Sequence, residues 1–226
     1  MSELEQLLAT LTEPIGDQYP RPWMSALDEP ETAEVFIVGQ NQAKRFPDTV
    51  SHQRFVDSLY NRNGETGRAL YDEITGCKPS KTRARLDALA SQLCFARTLE
   101  TNVVCFSTES ARELDDTVNA EGRTRGAKVF ETILAYIQPK LLITHGVGTL
   151  KLAAELVPGF PGALRPAETA DELRPRQIRL SPLGSTLNTT LIAIPTQSVH
   201  QALFKNWATH WPSIERRLVY FVRQLV

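Results

Sequence analysis

The sequence predicts an α/β protein, a three-layer α/β/α sandwich with a central, mainly parallel four-stranded sheet. Short apolar runs rich in β-branched residues recur along the chain, and each is too brief for a helix. Segments in which apolar residues repeat at helical spacing alternate with these runs. Polar residues follow the runs, as they follow the strands of an open α/β sheet at its ligand-binding edge.

Composition limits the classes of protein to consider. The 226 residues are 42% hydrophobic, which suits one sizeable core, so we expect a single domain over residues 1–226. A net charge of −1 means that any nucleic-acid contact must be local. The three cysteines show no metal-ligand spacing, and neither a signal peptide nor a membrane-spanning run is recognisable. We therefore expect a cytoplasmic monomer with no membrane partner, no metal and no cofactor.

The predicted elements follow one another along the chain. Predicted helices cover Glu3–Leu11, Val50–Tyr60, Lys81–Leu93, Val129–Ile137, Leu150–Leu156 and Ile214–Leu225. Predicted strands cover Val35–Val38, Glu100–Thr108, Leu141–Thr144 and Thr190–Pro195. Gly122–Gly126 is predicted as a basic turn, and Pro158–Arg179 as a surface loop with one short strand.

Polar side chains occur at or near the ends of all four predicted strands. The groups are Gln40, Asn41 and Gln42; Asn102, Ser107 and Thr108; His145, Gly146 and Gly148; and Thr196, Gln197, Ser198 and His200. The carboxyl ends of parallel strands meet at one sheet edge, so we expect a common site there. Ordinary polar loops, a strand cap and a structural histidine are the alternative interpretations. The glycines after the third strand suit an anion or a polar ligand edge, but they lack the dinucleotide fingerprint.

Taken together, four segments resemble the uracil-DNA glycosylase superfamily over about Val35 to Trp207. Its first motif, Gly-Gln-Asp-Pro-Tyr or Gly-Ile-Asn-Pro-Gly, is similar to the turn GQNQA. The Thr-Asn-Val-Val segment of its iron–sulfur members resembles TNVVCF, and its Pro-Lys-hydrophobic strand resembles PKLLITHGVGTL. The segment IPTQSVHQALF lies where its His-Pro-Ser motif stands. The resemblance implies hydrolysis of the N-glycosidic bond of a nucleotide flipped out of DNA.

Matching positions carry the roles that this resemblance implies. Asn41 orients the attacking water, and Asn102 pairs with O4 and N3–H of the pyrimidine. Phe46 stacks on the base, with Phe55 as the alternative. Ala43 stands where some members carry a bulky Tyr, which predicts tolerance of thymine or of larger damaged bases. The remaining base-binding candidates are Gln40 and Gln42.

Three departures from the family pattern qualify these roles. Thr196, Gln197 and Ser198 replace His-Pro-Ser, and losing one such preorganised donor costs on the order of 100- to 1,000-fold in rate. His200 or Gln197 is the expected substitute, so Ser198 and His200 are catalytic candidates beside Asn41. Gln42 replaces the usual Pro. The cysteines do not reproduce the four-ligand cluster pattern, and we expect no iron–sulfur cluster.

DNA contacts are predicted at two basic clusters, Lys78–Arg85 and Arg165–Arg179, for which a solvated surface is the alternative. The candidate nucleic-acid-binding residues are Lys81, Arg83, Arg85, Gly146, Ser198 and Lys205.

The sequence thus predicts a monofunctional DNA glycosylase acting on uracil or a related base in single-stranded or mismatched DNA. A non-catalytic binder of a nucleobase, nucleotide or nucleic-acid end is the main alternative, favoured by the near-neutral charge and the altered last motif. A hydrolase of free nucleosides is the third.

Overall fold

The central layer is a five-stranded sheet, one strand more than predicted. The computed structural model describes residues 2–76, 80–196 and 204–226, without the side chains of residues 81 and 204–208. The strands are β1 Val35–Gln42, β2 Thr98–Ser107, β3 Leu141–His145, β4 Arg176–Leu180 and β5 Leu187–Ile194. Their order is β2-β1-β3-β5-β4, with all neighbours parallel except β4 and β5. The predicted α/β class is therefore confirmed, and β4 is the additional strand at one edge.

Helices cover both faces of the sheet. They are α1 Glu3–Leu11, α2 His52–Leu59, α3 Gly67–Thr75, α4 Lys81–Gln92, α5 Ala120–Ile137, α6 Val147–Leu156 and α7 Phe204–Leu225. The helix α3 was not predicted, although Thr66 caps its start by accepting a hydrogen bond from the N–H of Ala69 at 3.0 Å. None of the helices in the described ranges is long and apolar enough to span a bilayer.

Two apolar clusters sandwich the sheet because successive side chains of a strand point to opposite faces. On one face, Phe36 of β1 belongs to the cluster that contains Phe130 of α5. On the other face, Ile37 belongs to the cluster that contains Leu218 of α7. The first cluster also takes residues from α1, α2, α3 and α6, and the second takes residues from α4. These two layers hold the strand ends, and hence the site, in place.

The segment Gly122–Gly126 is not the predicted turn but part of α5. A methyl group at Gly126 would lie 2.9 Å from Val104 Cγ1 and 3.0 Å from the backbone nitrogen of Cys105. One at Gly122 would overlap the ring of Phe106. The two glycines therefore allow α5 to lie close against β2, a tertiary requirement that outweighs their low helix propensity.

The outer edge of β2 is covered by the loop that follows α1. The N–H of Arg21 donates to the carbonyl of Cys105 at 3.0 Å, and the N–H of Met24 donates to the carbonyl of Glu100 at 3.1 Å. These bonds satisfy edge carbonyls that would otherwise be unpaired. They also bring Arg21 to the end of the sheet where the carboxyl ends of the parallel strands lie.

Candidate functional site

A cavity of about 530 Å³ opens at the carboxyl ends of β1 and β3 and beside the first half of β2, of which Glu100, Thr101 and Asn102 line it. Pockets that bind small molecules have volumes of roughly 300–1,000 Å³. The structure brings together polar residues from several of the predicted strand ends, since Gln40, Asn41, Asn102, His145 and Thr196 all line this cavity. The register of the parallel strands accounts for the convergence.

Asn41 lies half-buried at the end of β1, and its neighbours fix the orientation of its amide. Its Nδ2 donates to Thr108 Oγ1 at 2.8 Å and to the carbonyl of Gln42 at 3.3 Å. A carbonyl oxygen can only accept, so the nitrogen must face Gln42. Within the described part of the chain, Oδ1 of Asn41 has no hydrogen-bond partner. This oxygen can therefore accept a hydrogen bond from a water or a ligand.

Asn102 and His145 come close together over the backbone of Gly39. A methyl group at Gly39 would lie 2.5 Å from Asn102 Oδ1 and 3.0 Å from His145 Nε2. The pairing of β1 with β2 sets Gly39 opposite Asn102, and His145 ends the strand on the other side. No described residue forms a hydrogen bond with the side-chain amide of Asn102. Its donor and its acceptor are both left for a ligand.

His145 is a neutral imidazole at pH 7. Burial, and secondarily the positive charge of Arg83, lower its pKa to about 4. Its Nδ1 is buried and has no hydrogen-bond partner among the residues described. A neutral imidazole carries one N–H, so His145 can donate one hydrogen bond to a ligand without carrying a charge.

The turn between β3 and α6 is arranged differently from the prediction. Gly146 has φ +89°, which favours glycine. Its N–H was expected to face an anion or a polar ligand edge, but it donates to the carbonyl of Ile194 at 3.0 Å. Gln40 lies against the first turn of α6, where a methyl group at Gly148 would overlap its carboxamide. The backbone of Gly146 therefore links two strands instead of offering a donor.

Gln42 and Ala43 are adjacent in the sequence but differ in burial. Gln42 is buried, and its Nε2 donates to the carbonyl of Arg21 at 2.6 Å while its Oε1 accepts from Ser107 Oγ at 3.4 Å. Its amide thus holds the wall of the cavity together. Ala43 is exposed, and its small side chain leaves its part of the cavity open.

Phe46, the predicted base-stacking residue, does not line the cavity. It is wholly buried, 4.8 Å from the ring of Phe55 and 5.5 Å from that of Tyr71, measured between ring centroids. The alternative, Phe55, is also wholly buried and stacks on Tyr19 at 4.6 Å. Both rings belong to the core because burial stabilises a large apolar side chain. Tyr71 of α3 is an aromatic residue that does line the cavity.

The basic cluster at the start of α4 is partly turned inwards. Both terminal nitrogens of Arg83 bind the carboxylate of Glu100, and its Nε donates to Asp87 at 2.8 Å. The charge of Arg83 is thus matched by acids rather than presented to a polyanion. Lys81 begins α4, and its side chain is outside the described set. Arg85 lies on the same helix but not in the cavity wall.

Other predicted contacts lie away from the cavity or outside the description. The arginines of the segment 165–179 are exposed, and β4, which carries two of them, is separated from β1 by β3 and β5. Ser198, His200 and Lys78 lie outside the described residues. Lys205 lies in α7, and its side chain is likewise outside the description.

The sequence analysis missed Arg21, whose side chain lines the cavity. Burial lowers the pKa of its guanidinium to about 10. Pro20 and Pro22 on either side favour an extended backbone, and this is the one local signal at the position. The placement of Arg21 depends on its non-local hydrogen bonds to β2, which no local pattern predicts.

Across the described residues, no three His, Cys, Asp or Glu side chains gather as a metal site requires. In comparisons with known proteins, no family model matches the chain and no curated protein matches it significantly. The functional conclusion therefore depends on the geometry of the cavity and on the chemistry of the groups that line it.

Proposed function

We propose that the chain is a DNA glycosylase-like hydrolase, which cleaves the N-glycosidic bond of uracil or a related base. One observation carries the proposal: Asn41 at the end of β1, Asn102 in the middle of β2 and the neutral imidazole of His145 at the end of β3 line one cavity, and the three strands are neighbours in the sheet. The three groups have the chemistry for holding a water, recognising a base edge and stabilising a leaving base, respectively.

Asn102 selects the base. Its Oδ1 accepts a hydrogen bond from N3–H of uracil, and its Nδ2 donates to O4. Cytosine presents an acceptor at N3 and a donor at N4, so the same amide meets it with the polarities reversed in this orientation. That both groups of the Asn102 amide have no partner among the described residues supports this role.

Asn41 holds the attacking water. Since its Nδ2 is bound to Thr108 and to the carbonyl of Gln42, its Oδ1 is left as an acceptor at the cavity. A water bound there attacks C1′ of the deoxyribose. The C1′–N bond breaks, its electron pair leaves with the base, and the proton released by the water passes to solvent.

His145 stabilises the departing base. Its lowered pKa keeps it neutral, and its one N–H donates a hydrogen bond to the oxygen of the base on which negative charge develops. The family that the sequence resembles carries a histidine after its last strand, and here an imidazole enters the cavity from β3. A base in this cavity is extruded from the duplex, which favours mismatched or single-stranded targets.

The test measures abasic-site formation in single-stranded and mismatched duplex DNA that contains uracil, hypoxanthine or thymine. We expect release of uracil, and of thymine because Ala43 leaves space for a methyl group. Asn41→Ala and Asn102→Ala should each lower the rate about 100-fold or more, as removal of a positioned polar group does. Arg45→Gln serves as the control because Arg45 pairs with Asp17 on the surface and does not line the cavity.

A second candidate is a non-catalytic binder of the same base or nucleotide. It is favoured by the fact that both carboxylates of the cavity wall, Asp72 and Glu100, are paired with arginines. Arg83 binds both oxygens of Glu100, so this carboxylate is not free to act as a general base towards water. Arg68 holds Asp72 through Oδ2 only, and the Oδ1 of Asp72 is buried without a hydrogen-bond partner among the described residues. Binding of uracil-containing DNA without abasic product from any substrate would establish this candidate and exclude the glycosylase. Cleavage of free deoxyuridine alone would instead identify a nucleoside hydrolase.

A further inference from the structure

Arg21 is held in the cavity wall by its backbone. Its N–H donates to the carbonyl of Cys105 at 3.0 Å, and its carbonyl accepts from Gln42 Nε2 at 2.6 Å. These two bonds tie the residue to β2 and to the end of β1. The side chain is thereby fixed at the cavity even though Arg21 belongs to a loop.

The guanidinium of Arg21 is a cation without an acidic partner. It lies over the ring of Tyr71 at 5.3 Å and near that of Phe46 at 6.0 Å, measured to the ring centroids. Its Nη1 is buried, and no described residue accepts a hydrogen bond from it. The carboxylate of Glu100 is already bound by Arg83. Burying an unpaired charge is unfavourable, and an aromatic face compensates only part of the loss.

The charges of the cavity wall are unbalanced towards the positive. Four cations, Arg21, Lys44, Arg68 and Arg83, line it together with two carboxylates. Arg68 pairs with Asp72 at 2.8 Å, and Arg83 pairs with Glu100. Arg21 and the exposed Lys44 form no ion pair with any described residue. The cavity therefore has two unmatched positive charges in a chain whose net charge is −1.

We propose that the cavity binds a phosphate group of its ligand through Arg21, with Lys44 as a second cation. A guanidinium binds oxyanions through two parallel hydrogen bonds, and a phosphate monoester carries up to two negative charges at neutral pH. This charge matches the two unpaired cations better than a carboxylate does. The inference deepens the proposed function and rests on it for the base that accompanies the phosphate.

Isothermal titration calorimetry with deoxyuridine, deoxyuridine 5′-monophosphate and inorganic phosphate tests the inference. We expect the monophosphate to bind roughly 10- to 100-fold more tightly than deoxyuridine, the range of a charge-assisted hydrogen-bonded contact. Arg21→Gln should reduce this preference to less than about threefold, because the anion loses its charged partner. Arg45→Gln, which removes a surface cation outside the cavity, should keep the preference. Equal preference in the wild type and in Arg21→Gln overturns the inference.

A measurement on the wild type alone protects the test against misfolding of the variant. Inorganic phosphate should compete with the monophosphate and not with deoxyuridine, since it occupies only the phosphate position. Absence of this competition overturns the inference. A uracil-containing single-stranded oligonucleotide identifies the source of the phosphate: weaker binding by Arg21→Gln indicates a DNA phosphodiester, and unchanged binding indicates the monoester of a free nucleotide.

Failure of the proposed function is separable from failure of this inference. Asn102→Ala should weaken deoxyuridine and its monophosphate equally and leave inorganic phosphate unaffected. If Asn102→Ala changes nothing while Arg21→Gln abolishes phosphate binding, base recognition by Asn102 is wrong and the phosphate site stands. If instead Asn102→Ala weakens deoxyuridine binding while Arg21→Gln leaves phosphate binding unchanged, the phosphate site is wrong and base recognition by Asn102 stands.

Discussion

Asn102 and His145 approach one another closely because Gly39, which lies between them, has no side chain. The methyl group of a Gly39→Ala variant would lie 2.5 Å from Asn102 Oδ1 and 3.0 Å from His145 Nε2. Both atoms are at the ends of side chains that can rotate into the cavity. We expect the free energy of unfolding to fall by less than about 1 kcal/mol, whereas base release slows at least tenfold. Urea unfolding and an abasic-site assay on the same preparation measure the two effects.

Gly162→Ala is the matched control, since no atom lies within 4 Å of the added methyl group. It should leave both stability and rate unchanged. A Gly39→Ala variant with full activity would show that the arrangement of Asn102 and His145 is not needed for the reaction.

Gly126→Ala tests the close packing of α5 on β2. Here the added methyl group meets the backbone nitrogen of Cys105 at 3.0 Å and Val104 Cγ1 at 2.9 Å. Backbone cannot rotate away, so overpacking should cost roughly 1–3 kcal/mol, more than the gain in helix propensity of about 1 kcal/mol. The urea midpoint should fall relative to the wild type and to Gly162→Ala. An unchanged or higher midpoint would show that α5 can move away from the sheet without loss.

The strands and the convergence of their ends could be predicted because both follow from local patterns. Short β-branched runs give the strands, and parallel pairing sends their carboxyl ends to one edge. Asn41 and His145 meet there for this reason, whereas Asn102, in the middle of β2, joins them because the register sets it opposite Gly39 of β1. The direction in which a loop side chain points is not local information. Phe46 follows the polar turn directly in sequence, yet it packs inwards against Phe55.

The other differences have the same physical origin in tertiary contacts. Gly122 and Gly126 resemble a turn in a local window but serve the approach of α5 to β2. Arg21 enters the cavity because its backbone pairs with Cys105, a residue far along the chain. In the sequence, Arg83 resembles part of a solvated or DNA-facing cluster. In the fold, it pairs with Glu100 of β2.

A double-mutant cycle on Arg83 and Glu100 tests the ion pair at the cavity wall. Each side chain is 16% exposed, so the pair is largely desolvated. Glu100→Gln should lower the free energy of unfolding by about 2–4 kcal/mol, because it leaves Arg83 partly buried beside the cation of Arg21. The coupling energy between the two sites should fall between about 0.5 and 3 kcal/mol.

The exposed pair Arg45–Asp17, whose side chains are 54% and 69% exposed, is the control cycle. Its coupling energy should be about 0.5 kcal/mol or less. Equal coupling in the two cycles would contradict the view that burial distinguishes the Arg83–Glu100 pair.

The lowered pKa of His145 predicts how the free energy of unfolding changes with pH. Its folded pKa of about 4 lies below the ordinary histidine pKa of 6.5, so the unfolded chain binds more protons between these values. Stability therefore rises as the pH rises from 4 towards 6.5 and gains nothing further from this group above that. Between pH 7 and pH 4.5 the contribution of His145 should be about 1–2 kcal/mol, because cavity water screens its exposed edge.

Urea unfolding of the wild type and His145→Gln at both pH values isolates this contribution. The variant should lose less stability on acidification than the wild type by that amount. Parallel losses in the two proteins would mean that the pKa of His145 is the same in the folded and the unfolded chain, and hence that burial does not lower it.

Asn41→Asp tests whether the neighbours of residue 41 require an amide rather than a carboxylate. A carboxylate looks like a better activator of water, but Thr108 Oγ1 already donates its proton to the carbonyl of Ser110 at 2.7 Å. In the wild type, Nδ2 of Asn41 lies 2.8 Å from Thr108 Oγ1 and 3.3 Å from the carbonyl oxygen of Gln42. The carboxylate oxygen that replaces Nδ2 would face these two acceptors, and neither has a proton to donate to it. We expect a loss of about 1–3 kcal/mol in the free energy of unfolding and a slower base release at pH 7.

Thr108→Val separates the loss of hydrogen bonds at residue 41 from the introduction of a charge there. It removes one of the two acceptors of Asn41 Nδ2 and leaves the Asn41 amide in place. It should cost about 1–3 kcal/mol, the net value of two hydrogen bonds, because Thr108 Oγ1 accepts from Asn41 Nδ2 and donates to the carbonyl of Ser110; it should also loosen the orientation of the Asn41 amide. If Asn41→Asp instead raises the rate without loss of stability, its side chain has turned away from Thr108, and the hydrogen bonds to Nδ2 do not fix the oxygen that holds the water.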